Sequence, residues 1–206
     1  EGNKLFNLCG QVSVSAILAA VLHPKAPTVF QVLNEWKGHM WNPAKDDVTS
    51  AEHIDLFINS AYGSYLGARW DFISGLLFPT DKGVRWDSEE GKKETPRLLK
   101  ELLVHQNFLM VSVKMTQGGR LGATGAGHWV VLTGVSNPFD YENRASEKNW
   151  VRVYNPYDNE TEYYTWNDFY DSFYADDRTL VSIKIKSIPY IPDTDPCSWQ
   201  EWDGLR

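Results

Sequence analysis

"FLMVSVKM", residues 108–115, is where the chain changes its period. The clear patterns before it repeat at helical spacing, and most of those after it alternate like strands. The stretch itself is a short apolar run carrying the β-branched Val111 and Val113, which predicts a buried strand. Just ahead of it, "TPRLLKELLVHQ" (95–106) sets Leu98, Leu99, Leu102 and Leu103 on one side of a predicted helix. Helices followed by antiparallel-looking strands predict an α+β fold.

Working outward toward the start, residues 9–22 are rich in Ala, Val and Leu and read as a first helix. A second, "PTVFQVLNEW" (27–36), starts at Pro27 and Thr28. In "TSAEHIDLFINSAYG" (49–63), Thr49 or Ser50 caps a third helix, a Glu sits in its first turn and Gly63 stops it. "ARWDFISGLLFPTDKGVRWDSEEGKK" (68–93) reads as irregular, being studded with Gly, Pro and Asp.

In the other direction, the glycine-rich "TQGGRLGATGAG" (116–127) leads into a second strand, "HWVVLTGV" (128–135). "NWVRVYNP" (149–156) and "ETEYYTW" (160–166) are the next two strands. "WNDFYDSFY" (166–174) is a short amphipathic helix, and "TLVSIKIKSI" (179–188) ends the patterned region with clean alternation. There are no repeats or linkers. The expectation is one domain over 1–206, with a mainly helical part at 1–107, a mainly β part at 108–190 and an irregular tail at 191–206.

Hydrophobic residues make up 42% and charged residues 23%, which is globular composition. The nine Trp and ten Tyr fit either a recognition cleft or an aromatic core. A net charge of −7 without any Lys/Arg block argues against nucleic acid and anionic membranes. No apolar run reaches the ~20 residues of a membrane span, and no cleavable signal peptide is visible. No compartment is assigned. The two cysteines, Cys9 and Cys197, read as separate thiols, since Cys197 lies in the irregular tail.

Cys9 opens the first predicted helix. A helix N-terminus carries about half a positive charge and unpaired N–H groups, so it favours a thiolate. Burial as a plain core thiol is the competing reading. Of the five histidines, only His128 stands where a glycine-rich loop enters a strand, which displays it at a sheet edge. Asn155 ends a strand before Pro156, and its amide points off the sheet end at the same rim if the two strands are neighbours. As a lone pattern, Asn-Pro is a turn signal.

Together the three make a chemical unit. A thiol attacks a carbonyl as the thiolate, an imidazole holds the proton, and a third group fixes the imidazole. A neutral amide suffices as that third group when the resting state is an ion pair.

"LCGQVSVSAIL", "GHWVVLTGV" and "VYNPYDN" resemble the three motif blocks of bacterial papain-like cysteine peptidases. Within that group, the chain is most similar to the family of bacteriocin-leader (double-glycine) processing peptidases. Cys9, Gly10 and Ser13 match its Cys-Gly-x-x-Ser/Ala helix start. Gly127, His128, Trp129, Val130 and Val131 match its Gly-His-aromatic-Val-Val strand, and Asn155-Pro156 matches its third block. The resemblance implies a papain-like α+β fold whose nucleophile helix packs on an antiparallel sheet. It also implies hydrolysis of a peptide bond in a peptide or protein substrate, with no metal and no organic cofactor. Cys9 is then the nucleophile, His128 the base and Asn155 the orienter.

The chain departs from the family twice. Asn155 stands where Asp is common, and Asn3 stands at the oxyanion-hole position usually held by Gln, six residues before the nucleophile. Gln11 competes for that role, although its place inside the helix predicts that it points along the flank or packs locally. The glycine-rich loop 118–127 reads either as a plain connection or as a lid that closes beside His128. Two other functions use the same residues. One is acyl transfer to an amine, as in transglutaminase-like or toxin enzymes; the other is a peptide-binding module without catalysis.

Overall fold

A computed structural model describes residues 8–39, 49–72, 89–106, 108–175 and 179–187. The described elements run α1 (Cys9–Leu22), α2 (Val29–His39), α3 (Ala51–Ala61), β1 (Leu66–Phe72), α4 (Glu89–Gln106), β2 (Phe108–Met115), β3 (Ala126–Val135), β4 (Trp150–Asn155), β5 (Glu160–Thr165), α5 (Trp166–Ala175) and β6 (Thr179–Ile185). The α+β class is as expected. The six strands form one sheet in the order β1-β6-β2-β3-β4-β5, with every neighbouring pair antiparallel.

Helices cover both faces of the central strands, and strand alternation sorts the side chains between them. Met110, Trp129, Val131, Val181 and Ile183 pack with α1, α2 and α3. Leu109, Val111, Val130, Leu132, Val153 and Leu180 pack with Leu99 of α4 and with Trp166, Phe169 and Phe173 of α5. Coverage on both faces explains why β2 and β3 carry unbroken apolar runs rather than alternating polar residues. No helix among the described residues is long and apolar enough to cross a membrane.

The expected helix signals work locally. Thr28 and Gln31 form a reciprocal cap at α2, with Gln31 N–H donating to the Thr28 hydroxyl and Thr28 N–H to the Gln31 amide oxygen. Ser50 caps α3 by accepting from the His53 N–H at 3.2 Å. Beyond α3, a Cβ on Gly63 would lie 2.2 Å from the Asn59 carbonyl, so only glycine fits that exit.

Three expectations are corrected. The stretch read as irregular from Ala68 opens with a strand, because residues 66–72 form β1. Its partner is the distant β6, from Leu66↔Ile185 to Phe72↔Thr179. The open edge of β1 is occupied by α3: Asn59 exchanges two hydrogen bonds with the Ala68 backbone, and Asp55 accepts from Trp70 N–H. Next, α4 begins at Glu89 and runs through Pro96. Thr95 donates back to the Gly91 carbonyl, a Glu89–Lys92 pair supports the turn before the proline and a Glu94–Arg97 pair spans it. Lastly, His128 is only 4% exposed, so it is buried rather than displayed, although β3 has no β4 partner at that position. The tail 191–206 lies outside the described residues.

Candidate active site

The β3–β4 register begins at Val131↔Tyr154. Residues of β3 before Val131 therefore have no β4 partner, and α1 fills the space where the strands part. Trp129 N–H donates to the Cys9 sulfur at 3.4 Å, and the Ser13 hydroxyl donates to the Trp129 carbonyl. The helix start is thus docked against the residue that follows His128. Cys9 is a half-buried thiol at that junction.

Thr49 holds α1 there from the other side. The Trp129 indole N–H donates to the Thr49 carbonyl at 2.7 Å, and the Thr49 hydroxyl donates to the amide oxygen of the buried Gln11. Gln11 is thus engaged by a residue 38 positions away rather than by its own helix. The same approach dictates Gly10: a Cβ at that position would lie 2.6 Å from the Thr49 methyl. No side chain caps α1, and its first turn closes with Val12 N–H on the Leu8 carbonyl. The remaining first-turn amides point out of the helix end that carries the sulfur.

His128 and Asn155 share a sheet face, since they alternate with Trp129 and Tyr154 respectively. His128 Nε2 lies 2.9 Å from Asn155 Oδ1. The surroundings of Asn155, which is fully buried, fix the orientation of its amide. Tyr157 N–H donates to Oδ1, while Nδ2 donates to the Gly119 carbonyl at 3.2 Å and to a Glu162 carboxylate oxygen at 3.0 Å. Oδ1 is therefore the acceptor that His128 meets. A neutral His128 must carry its hydrogen on Nε2, which leaves Nδ1 as the basic nitrogen.

Burial pushes the His128 imidazole below its ordinary range, the largest influence on it. The Asn155 hydrogen bond and the nearby Glu162 and Asp158 carboxylates oppose that shift. Tyr164 donates to the same Glu162 oxygen at 2.7 Å. Burial raises the Tyr164 phenol well above its usual value, and the Glu162 hydrogen bond and charge raise it further, so it remains a donor.

The glycine-rich segment lies against the site. Leu121 bridges back to Met115, and Gly119 and Gly125 take positive φ angles of 79° and 135° to make the turns. The Gly119 carbonyl then serves as an anchor for Asn155. Asn3 and Cys197 lie outside the described residues.

The structure thus brings His128 and Asn155 together and seats Cys9 beside the residue after His128. Glu162 and Thr49 escaped the sequence reading. For Glu162 a signal existed. A turn of four residues between the β4 and β5 strand patterns sets Asn155 opposite Glu160, which makes Glu162 its diagonal neighbour on the same face. Among the described residues, no group of three or more His, Cys, Asp or Glu is placed to hold a metal. No protein family model matches this chain, and no curated protein matches it.

Proposed function

We propose that the protein is a cysteine peptidase with Cys9 as nucleophile, His128 as proton carrier and Asn155 as orienter. The observation that carries this reading is the Asn155 amide. Its fixed orientation leaves His128 Nδ1 as the basic nitrogen, while the amide following His128 holds the Cys9 sulfur.

In this reading the thiol proton resides on His128, and the Cys9 thiolate forms a bond to the carbonyl carbon of the scissile peptide. The oxygen gains the carbonyl π pair and is met by first-turn N–H groups of α1, the end of the helix that favours negative charge. Collapse of the adduct breaks the C–N bond, and the His128 proton goes to the departing amine. Water then gives a proton to His128 and attacks the thioester. The C–S bond breaks, the acid product leaves and the proton is shared again between sulfur and imidazole. Asn155, being neutral, keeps the imidazole oriented throughout.

The test is active-site labelling followed by cleavage of a peptide library read by mass spectrometry. Iodoacetamide should alkylate Cys9 at pH 6 much faster than Cys197, and His128→Ala should abolish the difference. Cys9→Ala should abolish cleavage. Equal rates at the two cysteines, each rising only above about pH 8 as for ordinary thiols, would sink the reading.

A further inference from the structure

We propose that Glu162 is a positioning residue of this site, holding the Asn155 amide and supplying at one remove the negative charge that a carboxylate at position 155 would have supplied directly. The inference rests on the peptidase reading for its catalytic meaning, but not for its geometry.

Glu162 accepts from both Asn155 Nδ2 and the Tyr164 hydroxyl through the same oxygen. Those two donors hold the carboxylate, and the carboxylate in turn holds the amide. If the amide turned over, Nδ2 would face His128 Nε2–H and Tyr157 N–H, donor against donor, while Oδ1 would face Glu162 and the Gly119 carbonyl, acceptor against acceptor. Glu162 therefore contributes to the choice of His128 tautomer without touching the ring.

Its charge acts as well. An anion near a histidine favours the imidazolium, the form that retains the thiol proton. The groups facing His128 and its partners are few. Asp158, in the turn after β4, adds a second carboxylate, and Cys9 comes from α1. Arg120 lies 6.0 Å from the Tyr164 ring centre, and Tyr164 itself is neutral. Of these, Glu162 is the charged group hydrogen-bonded to the orienting amide.

The experiment titrates the His128 ring by NMR in full-length Cys9→Ala protein, where no turnover is needed. Glu162→Gln retains an oxygen that accepts from Asn155 and Tyr164 but removes the charge. Its His128 midpoint should move to lower pH, whereas Glu162→Asp and Tyr164→Phe, which keep the charge, should leave it near that of the parent. In protein with Cys9 intact, Glu162→Gln should lower kcat/KM roughly tenfold. The alkaline limb of its pH profile should shift to lower pH, because a less basic imidazole loses its proton sooner. A midpoint unchanged in Glu162→Gln overturns the proposal, even if the wild type cleaves peptides. A midpoint that moves in a protein that cleaves nothing upholds the coupling and refutes only the peptidase reading.

Discussion

Replacing Asn155 by Asp exchanges one amide nitrogen for an oxygen, and here it should be damaging. The two side chains have the same shape, so an oxygen would occupy the place of Nδ2. It would sit 3.0 Å from the Glu162 oxygen and 3.2 Å from the Gly119 carbonyl. Loss of a hydrogen bond to a charged acceptor costs about 1.5–3 kcal/mol. Two unit charges ~3 Å apart at an effective dielectric of ~20 repel by about 5 kcal/mol. Glu162 is half-buried, so solvent reduces that repulsion to roughly half. At pH 8 the variant should be about 4–5.5 kcal/mol less stable than the wild type. As pH falls, the carboxylate pair takes up one proton at a raised value, and an O–H···O bond replaces the lost donor. The folded variant then binds more protons than its unfolded chain, so its stability relative to the wild type falls as pH rises. Urea denaturation at pH 5 and pH 8 measures the difference. Adding Glu162→Gln supplies an amide that donates to the introduced carboxylate, and it should recover more than half of the loss at pH 8. An Asn155→Asp protein as stable as the wild type at pH 8 would refute the Asn155–Glu162 contact.

Two further outcomes follow from the same geometry. Gly10→Ala drives a methyl to 2.6 Å from Thr49, which also holds Trp129 and Gln11. Overpacking of about 1–3 kcal/mol should outweigh a helix-propensity gain of up to about 1 kcal/mol. The expected result is a lower Tm together with slower alkylation of Cys9, and a variant unchanged in both would show that α1 is not held by Thr49. For pH, burial sets the His128 imidazole below its unfolded value near 6.5. In Cys9→Ala protein, stability is fully present above that value and is lost as pH falls through it, because the unfolded chain takes up the proton first. His128→Gln should flatten this part of the stability curve, and a slope of opposite sign in the Cys9→Ala protein would contradict the burial.

Much of the site was legible because its signals are local. Cys9 is followed by a helical run, His128 begins a strand pattern behind glycines, and Asn155 is stopped by Pro156. What made the three a unit was their order and spacing, not any one of them. The β1 strand was illegible for the opposite reason. "LGARWDF" does alternate, with Leu66, Ala68, Trp70 and Phe72 against Gly67, Arg69 and Asp71, but its extended form depends on β6, which arrives more than a hundred residues later. The turns of α4 before Thr95 were missed because they carry no apolar periodicity and are sustained by the exposed Glu89–Lys92 pair and the Thr95 hydroxyl. Glu162 was hidden by composition: in "NETEYYT" it looks like any surface glutamate, and only the β4–β5 register turns it toward Asn155.

The gap where β4 leaves β3 also sets a schedule. Cys9 meets the backbone of Trp129 across 120 residues of sequence. His128, Asn155 and Glu162, by contrast, belong to consecutive antiparallel strands, joined by the 136–149 connection and by a four-residue turn between β4 and β5. A ribosome therefore releases the thiol early and the basic half of the site late, and the sulfur has no organised partner in the interval. The last strand, β6, must then insert between β1 and β2 before the sheet beneath α1 is complete. The Cys9–Trp129 junction cannot form before β3 has emerged, and a chain interrupted ahead of Trp129 lacks it.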